Sequence, residues 1–282
     1  MKTVAGAMGV SRSNLYVKRE KAVCRGRYRK AQDDELLPLI KEIVDARISY
    51  GYPRVTALLN KKLTSLGRPR VNRKRVYRIM SINNLLLAPH TGRPARTHNG
   101  EIVTLKSNTR WCSDIFAIIC WNKEIVWVAF SLDTCDREVM SYIATTAGIS
   151  GEMIRDLIAE AIESRFGLVD QIPHPIEWLS DNGSVYTARD TRNFATSMGL
   201  VVCTTPVQSP ESNGMAEAFI KTLKRDYVYV NRLDDAKAVL AQLPGWIEDY
   251  NENAPHKGLK MKSPREYRQS LAAAEECPIK WG

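Results

Sequence analysis

The sequence predicts an α/β protein in which a mixed sheet carries helices on its faces and an all-helical basic region comes first. Three observations lead there. Strand-like apolar runs appear first as a meander and then alternate with helical patterns, which builds a sheet containing both strand senses. Upstream of them, apolar residues recur at helical spacing only. Between the two regions, residues 88–107 hold Pro89, Gly92, Pro94 and Gly100 with few apolar side chains, the composition of a linker.

Charge divides the chain at the same place. Of the 282 residues, positions 1–106 carry 23 Lys and Arg against 7 Asp and Glu, and the remainder carries 18 against 24. The basic region suits a polyanion such as DNA, whose phosphates attract Lys and Arg regardless of base sequence. The acidic remainder suits metal cations. No apolar run approaches the ~20 residues needed to span a bilayer, and the N-terminus lacks a signal peptide's apolar segment, so a cytoplasmic protein is expected. Cys24, Cys112, Cys120, Cys135, Cys203 and Cys277 form no CxxC pair and the four histidines are scattered. That pattern excludes a zinc site of ordinary spacing and leaves reduced cysteines acting as small apolar residues.

The elements follow in order. Gly9 to Tyr16 reads as a turn and a Ser-capped helix, either the second half of a helix-turn-helix or an ordinary surface helix. A basic run, Lys18 to Lys30, comes next. Leu36, Leu37, Ile40, Ile43 and Val44 mark an amphipathic helix after the acidic start Asp33-Asp34-Glu35. After the turn Tyr50-Gly51-Tyr52-Pro53, a helix over 54–63 turns Val55, Leu58 and Leu59 inward. A second, over 72–83, buries Val76, Ile79 and Met80. On this last helix Arg73, Lys74, Arg75 and Arg78 lie away from the apolar stripe, as cations of a recognition helix would, or as an ordinary solvated face would.

Beyond the linker, 111–119, 125–133 and 138–145 read as strands, the first two joined by a tight turn at Asn122-Lys123. Residues 150–166 form a helix, 175–180 a strand, 190–198 a helix and 200–204 a strand. A helix over 213–230 follows the loop Pro206 to Pro210, with Phe219, Leu223 and Val230 on its apolar side. Residues 231–282 form a helical extension whose Trp246, Tyr250 and Tyr267 pack on the core.

Three acids stand out. Asp114 interrupts an apolar strand, where an uncompensated carboxylate is costly. Asp181 follows a strand and precedes Asn182-Gly183, a turn that leaves its side chain at the strand's C-terminal end, where open sheets build sites. Glu217 lies on a helix with Lys221 and Lys224 within about 40° of it around the axis, opposite the apolar side. Taken alone, an i,i+4 ion pair with Lys221 explains Glu217 equally well. Glu211 and Asp226 do not share the face of Glu217. Asp133 and Asp136 bracket a turn, where Asp serves local hydrogen bonding.

In combination the motifs are more specific, because 35 residues separate Asp181 from Glu217. Trp111-Cys112-Ser113-Asp114, Ser180-Asp181-Asn182-Gly183-Ser184-Val185-Tyr186 and the segment from Ser209 to Lys224 resemble the D, D(35)E signatures of bacterial insertion-sequence transposases. The subgroup with a retroviral-integrase-like core is the nearest in pattern. Tyr50 to Val55, Lys74 to Met80, Tyr250-Asn251, Pro255-His256 and Ser263 to Tyr267 extend the likeness over nearly the whole chain. The resemblance implies a ribonuclease H-like fold in which Asp114, Asp181 and Glu217 coordinate two Mg²⁺ or Mn²⁺ ions, with Asn182 behind them. Metal-dependent DNA cleavage and strand transfer would follow, with Lys221 and Lys224 on the element's terminal DNA.

The implied division is a basic segment with a partial helix-turn-helix (1–34), a helix-turn-helix-like DNA-binding domain (35–87), a linker (88–107), the catalytic core (108–230) and the extension (231–282). The implied partners are DNA, further copies of the chain, and the product of an upstream reading frame, in a bacterial cytoplasm at the nucleoid. A nuclease that only hydrolyses and a catalytically inactive DNA-binding regulator are the alternatives.

Overall fold

The computed structural model describes residues 33–88, 104–204 and 213–275. The expected Gly9–Tyr16 helix, the Lys18–Lys30 run, most of the linker, the Pro206–Pro210 loop and Glu211 lie outside the described residues. The chain divides into two compact units, one containing Gly51–Leu87 together with residues up to Ala46, the other containing Arg47–Tyr50 and everything from Ala88 onward.

The first unit is helical: α1 (Leu37–Ala46), α2 (Tyr52–Ser65) and α3 (Arg73–Ile82). Leu36, Ile40, Ile43, Val55, Leu59, Val76, Ile79 and Met80 are buried as helical spacing selects, with Leu63 added, whereas Leu37, Val44 and Leu58 are only half-buried. Pro53 sits in the first turn of α2, where its missing N–H costs nothing. Asn72 caps α3 by accepting the Lys74 N–H at 2.8 Å. Asn60 brackets the α2–α3 loop, donating to the Val71 carbonyl at 3.1 Å and accepting its N–H at 2.7 Å.

The second unit is built on a five-stranded sheet in the order β3-β2-β1-β4-β5. Its strands are β1 (Arg110–Ile119), β2 (Ile125–Asp133), β3 (Val139–Thr145), β4 (Ile176–Ser180) and β5 (Leu200–Thr204). The meander β1-β2-β3 is antiparallel, whereas β4 and β5 run parallel to β1 and need helical crossovers. Those crossovers are α4 (Gly151–Phe166) and the pair α5 (Ser184–Thr187) and α6 (Arg189–Ser197). Ser150 caps α4 through the Met153 N–H, and Gly167 ends it at φ +75°, a conformation glycine adopts without strain.

Alternation along β1 sends its side chains to opposite faces. Trp111 packs with Ile154, Leu157, Ile158, Ala161 and Trp178 on one side. Cys112, Phe116 and Ile118 pack on the other with Phe219 and Leu223 of α7 (Gly214–Asp226) and with α8 (Ala236–Asn253). The sheet is thus a middle layer between two helical ones. A helix α9 (Pro264–Glu275) closes the described chain.

The sequence and the structure part in two places. The helix expected to reach Val230 ends at Asp226, because Tyr227 leaves helical geometry (φ −128°, ψ −55°), and Val230 is 37% exposed rather than packed. The extra helix α5 follows the Asp181 turn directly.

The downstream motifs prove to be latches. Buried Asn251 accepts the Val139 N–H and donates to the Val139 carbonyl, both at 2.9 Å, serving β3 as a strand partner would. Ser263 and Glu266 form a reciprocal capping box at the start of α9. Tyr250 stacks edge-on with Phe219 and His256. Asp133, Asp136 and Glu138 are all buried, and Asp133 accepts the N–H groups of Asn108, Cys135 and Asp136. Arg165 meets Asp136 at 2.9 Å and Glu138 at 3.4 Å, while Arg265 and Arg268 reach Glu138 from α9 at 2.8 and 2.9 Å.

Candidate active site

β1 pairs with β4 through Arg110–Glu177, Trp111–Trp178 and Cys112–Leu179. Two residues further along both strands stand Asp114 and Asp181, the latter immediately beyond the end of β4. Parallel register therefore places the two acids alongside one another where β4 stops and β1 continues, the end of an open sheet at which sites form.

Glu217 comes to the same place on α7. Phe219 of this helix packs on Phe130, ring centroids 4.5 Å apart, and Phe130 is the cross-strand neighbour of Asp114. The helix start is fixed by buried Asn213, which donates from Nδ2 to the Ser113 carbonyl at 3.2 Å. Glu217 follows one turn later.

The electrostatics register this convergence. The Asp114 carboxyl is pushed up to about 6, first by its burial and further by the negative charges of Asp181 and Glu217, against the lowering effect of the Ile115 N–H. Each acid is held by a local donor: Asp114 by the Ile115 N–H at 2.8 Å, Asp181 by the Gly183 N–H at 2.9 Å, Glu217 by Lys221 at 2.7 Å. Among the described residues no three or more carboxylate, thiol or imidazole groups are gathered closely enough to hold a metal ion as they stand. The three acids are electrostatic neighbours turned toward separate donors, as mutually repelling anions would be.

Gly183 earns its place by close approach, since a Cβ there would lie 2.9 Å from Asp181 Oδ1. A side chain at this position would push the carboxylate off its turn. Asn182 is exposed in the same turn. Lys224 lies with its ammonium 5.6 Å from the Phe116 ring centroid, a cation–π contact on the side of α7 that also bears Glu217.

In the helical unit the four expected cations separate into two pairs. Arg75 and Arg78 each meet the buried Asp33 carboxylate at 2.7 Å, so both hold α3 to the start of the unit. Arg73 and Lys74 stand exposed, Arg73 with its guanidinium 5.9 Å from the Tyr52 ring centroid.

Sequence reasoning missed three residues around Asp114. Ser113 is wholly buried and its hydroxyl meets the Tyr186 hydroxyl at 2.9 Å, while its carbonyl accepts from Asn213. The available signals were a serine in an apolar strand, a tyrosine five residues after Asp181 and an asparagine one helical turn before Glu217.

A sheet of this order with a helical unit before it matches two described domain types. Integrase core domain families match residues 105–210 and 200–264, and an HTH-like domain family matches residues 31–93. These define a protein with an integrase core behind a helix-turn-helix-like domain. The chain is 42% identical over 275 residues to the transposase InsD of an Escherichia coli IS2 element, covering 95% of this chain and 91% of that protein. It is 52% identical over 190 residues to an uncharacterized protein of insertion element IS136 from Agrobacterium fabrum, covering 67% and 97%. The simian T-cell lymphotropic virus intasome structure aligns with a TM-score of 0.48 at 19% identity, over 76% of this chain and 74% of that one. The chain belongs to the insertion-element transposases with an integrase core. Membership implies polynucleotidyl transferase activity. Among the described residues, no helix is long and apolar enough to cross a membrane.

Proposed function

We propose that Asp114, Asp181 and Glu217 together hold two Mg²⁺ or Mn²⁺ ions and that this site cleaves and joins DNA strands at the ends of an insertion element. The observation that carries the reading is the convergence of three carboxylates from β1, the end of β4 and the start of α7, with Asp114 pushed up by its burial and by the other two. Hard carboxylate oxygens suit these ions, and a cation offsets the mutual repulsion of the acids. Bound there, the ions would activate the attacking oxygen and stabilise the leaving one in an in-line displacement at phosphorus. Water as nucleophile breaks the P–O3′ bond and leaves a free 3′-hydroxyl. That hydroxyl then attacks a phosphorus of target DNA, forming a new P–O bond as the target's own P–O3′ bond breaks and its 3′-hydroxyl leaves.

The remaining residues have separable duties. Exposed Lys221 and half-buried Lys224 beside Glu217 grip the phosphates of the terminal DNA, and Asn182 supports the Asp181 turn. In the helical unit, Arg73 and Lys74 contact DNA, while Arg75 and Arg78 shape the helix that presents them. The division of labour assigns 35–87 to end recognition, 108–230 to chemistry and 231–282 to bracing the core. Two element ends must be brought together, which calls for more than one copy of the chain on DNA.

A supercoiled plasmid carrying the element's ends tests this reading. Metal-dependent nicks together with joined products are expected. Nicks without joined products would mean a hydrolytic nuclease, and a biological readout that survives Asp181→Asn would mean a regulator.

A further inference from the structure

The three acid-bearing segments share a single buried anchor. Ser113, immediately before Asp114, is wholly buried, and its hydroxyl and its carbonyl are taken by the other two segments. Its hydroxyl meets that of Tyr186, which lies on α5, five residues past Asp181, and is itself 1% exposed. Its carbonyl accepts from Asn213, which is 5% exposed and stands four residues before Glu217. The Asn213 bond ties the start of α7 to β1, beside the packing of Phe219 and Leu223 on the sheet. The Asp181 turn lies beyond the last β4 pairing, Ser180 with Thr204, and the Tyr186 bond ties the helix that follows it to β1.

We propose that Ser113, Tyr186 and Asn213 are positioning residues that hold Asp114, Asp181 and Glu217 within reach of a common cation. The proposal rests on the metal-site reading above. None of the three touches DNA or metal in this role. They act by fixing backbone on which repelling carboxylates are mounted, and buried hydroxyl and amide bonds are suited to this because breaking one leaves its partner unsatisfied.

Mn²⁺ is the probe, its free concentration followed by the aqueous electron paramagnetic resonance signal during titration of the full chain, with thermal unfolding measured alongside. Tyr186→Phe, Ser113→Ala and Asn213→Ala should each weaken Mn²⁺ binding about tenfold or more, the usual cost of removing a supporting partner. The double variant Ser113→Ala/Tyr186→Phe should be no worse than the poorer single, because both remove the same bond. Ser141→Ala, which removes an equally buried bond to the Leu157 carbonyl, should lower the melting temperature and leave Mn²⁺ affinity unchanged.

Wild-type affinity in Tyr186→Phe and Ser113→Ala would overturn the proposal, as would strictly additive losses in the double variant. Asp181→Asn keeps the two readings apart. If it binds Mn²⁺ as wild type does, the metal site itself is misassigned; if it loses binding while Tyr186→Phe retains it, only the anchor fails.

Discussion

Two groups of carboxylates in this protein receive opposite treatment. Asp133, Asp136 and Glu138 are buried, and the fold brings Arg165, Arg265 and Arg268 to them from two helices. Asp114, Asp181 and Glu217 are brought together at the sheet's open end, and the cation paired with them among the described residues is the exposed Lys221 ammonium on Glu217. Buried acids that serve the fold are neutralised by the fold. In the function proposed above, acids left to crowd one another at the open end of a sheet await a cation from outside.

The largest effect should come from the second group. Asp114→Asn or Asp181→Asn is expected to lower strand cleavage by about 1,000-fold or more, as for members of a unit that acts jointly. Folding should survive, and relief of like-charge crowding should leave the melting temperature unchanged or raised. Activity within tenfold of wild type would remove the distinction between the groups.

The first group should show the reverse. Arg165→Met leaves Asp136 buried without its arginine and removes one of three from Glu138, and should destabilise the chain by about 3–5 kcal/mol, read by urea unfolding. A loss under 1 kcal/mol would show that those acids do not depend on it. Asn251→Ala should cost about 1–3 kcal/mol, since it strands the Val139 N–H and carbonyl in the core. Binding of Mn²⁺ should be untouched, which sharpens the contrast with Asn213.

Smallest is the expected effect of Lys221→Gln. Exposed ion pairs at this spacing contribute only about 0.3–0.5 kcal/mol, so stability should barely move. DNA affinity should fall similarly on every sequence, with the salt dependence reduced by about one phosphate contact. A change in sequence preference instead would assign Lys221 to base reading.

How far the two groups could be told apart from sequence depends on the range of their contacts. β2 and β5 were legible to the residue, because apolar runs bounded by turn residues fix strand limits locally. So was the buried set of α3, Val76, Ile79 and Met80. The three acids became legible only in combination, since the ion pair with Lys221 explains Glu217 by itself and is indeed formed. Long-range pairings were not legible. Nothing near Arg75 or Arg78 points to Asp33, some 40 residues away, so four similar cations looked equivalent. Asp133 and Asp136 read correctly as turn residues, yet Arg165 lies on a separate helix and its role depends on the tertiary fold. The end of α7 at Asp226 turns on backbone geometry at Tyr227, which residue type does not specify.

The central claim is that three particular carboxylates carry the chemistry through divalent metal. Its most direct test incubates end-labelled DNA bearing the element's terminus with the full chain and Mg²⁺ or Mn²⁺, comparing wild type with Asp114→Asn, Asp181→Asn and Glu217→Gln. Cleavage or joining that requires the metal and disappears in all three variants is the expected result. Activity that persists without divalent metal, or in any one of the variants at the wild-type level, would contradict it.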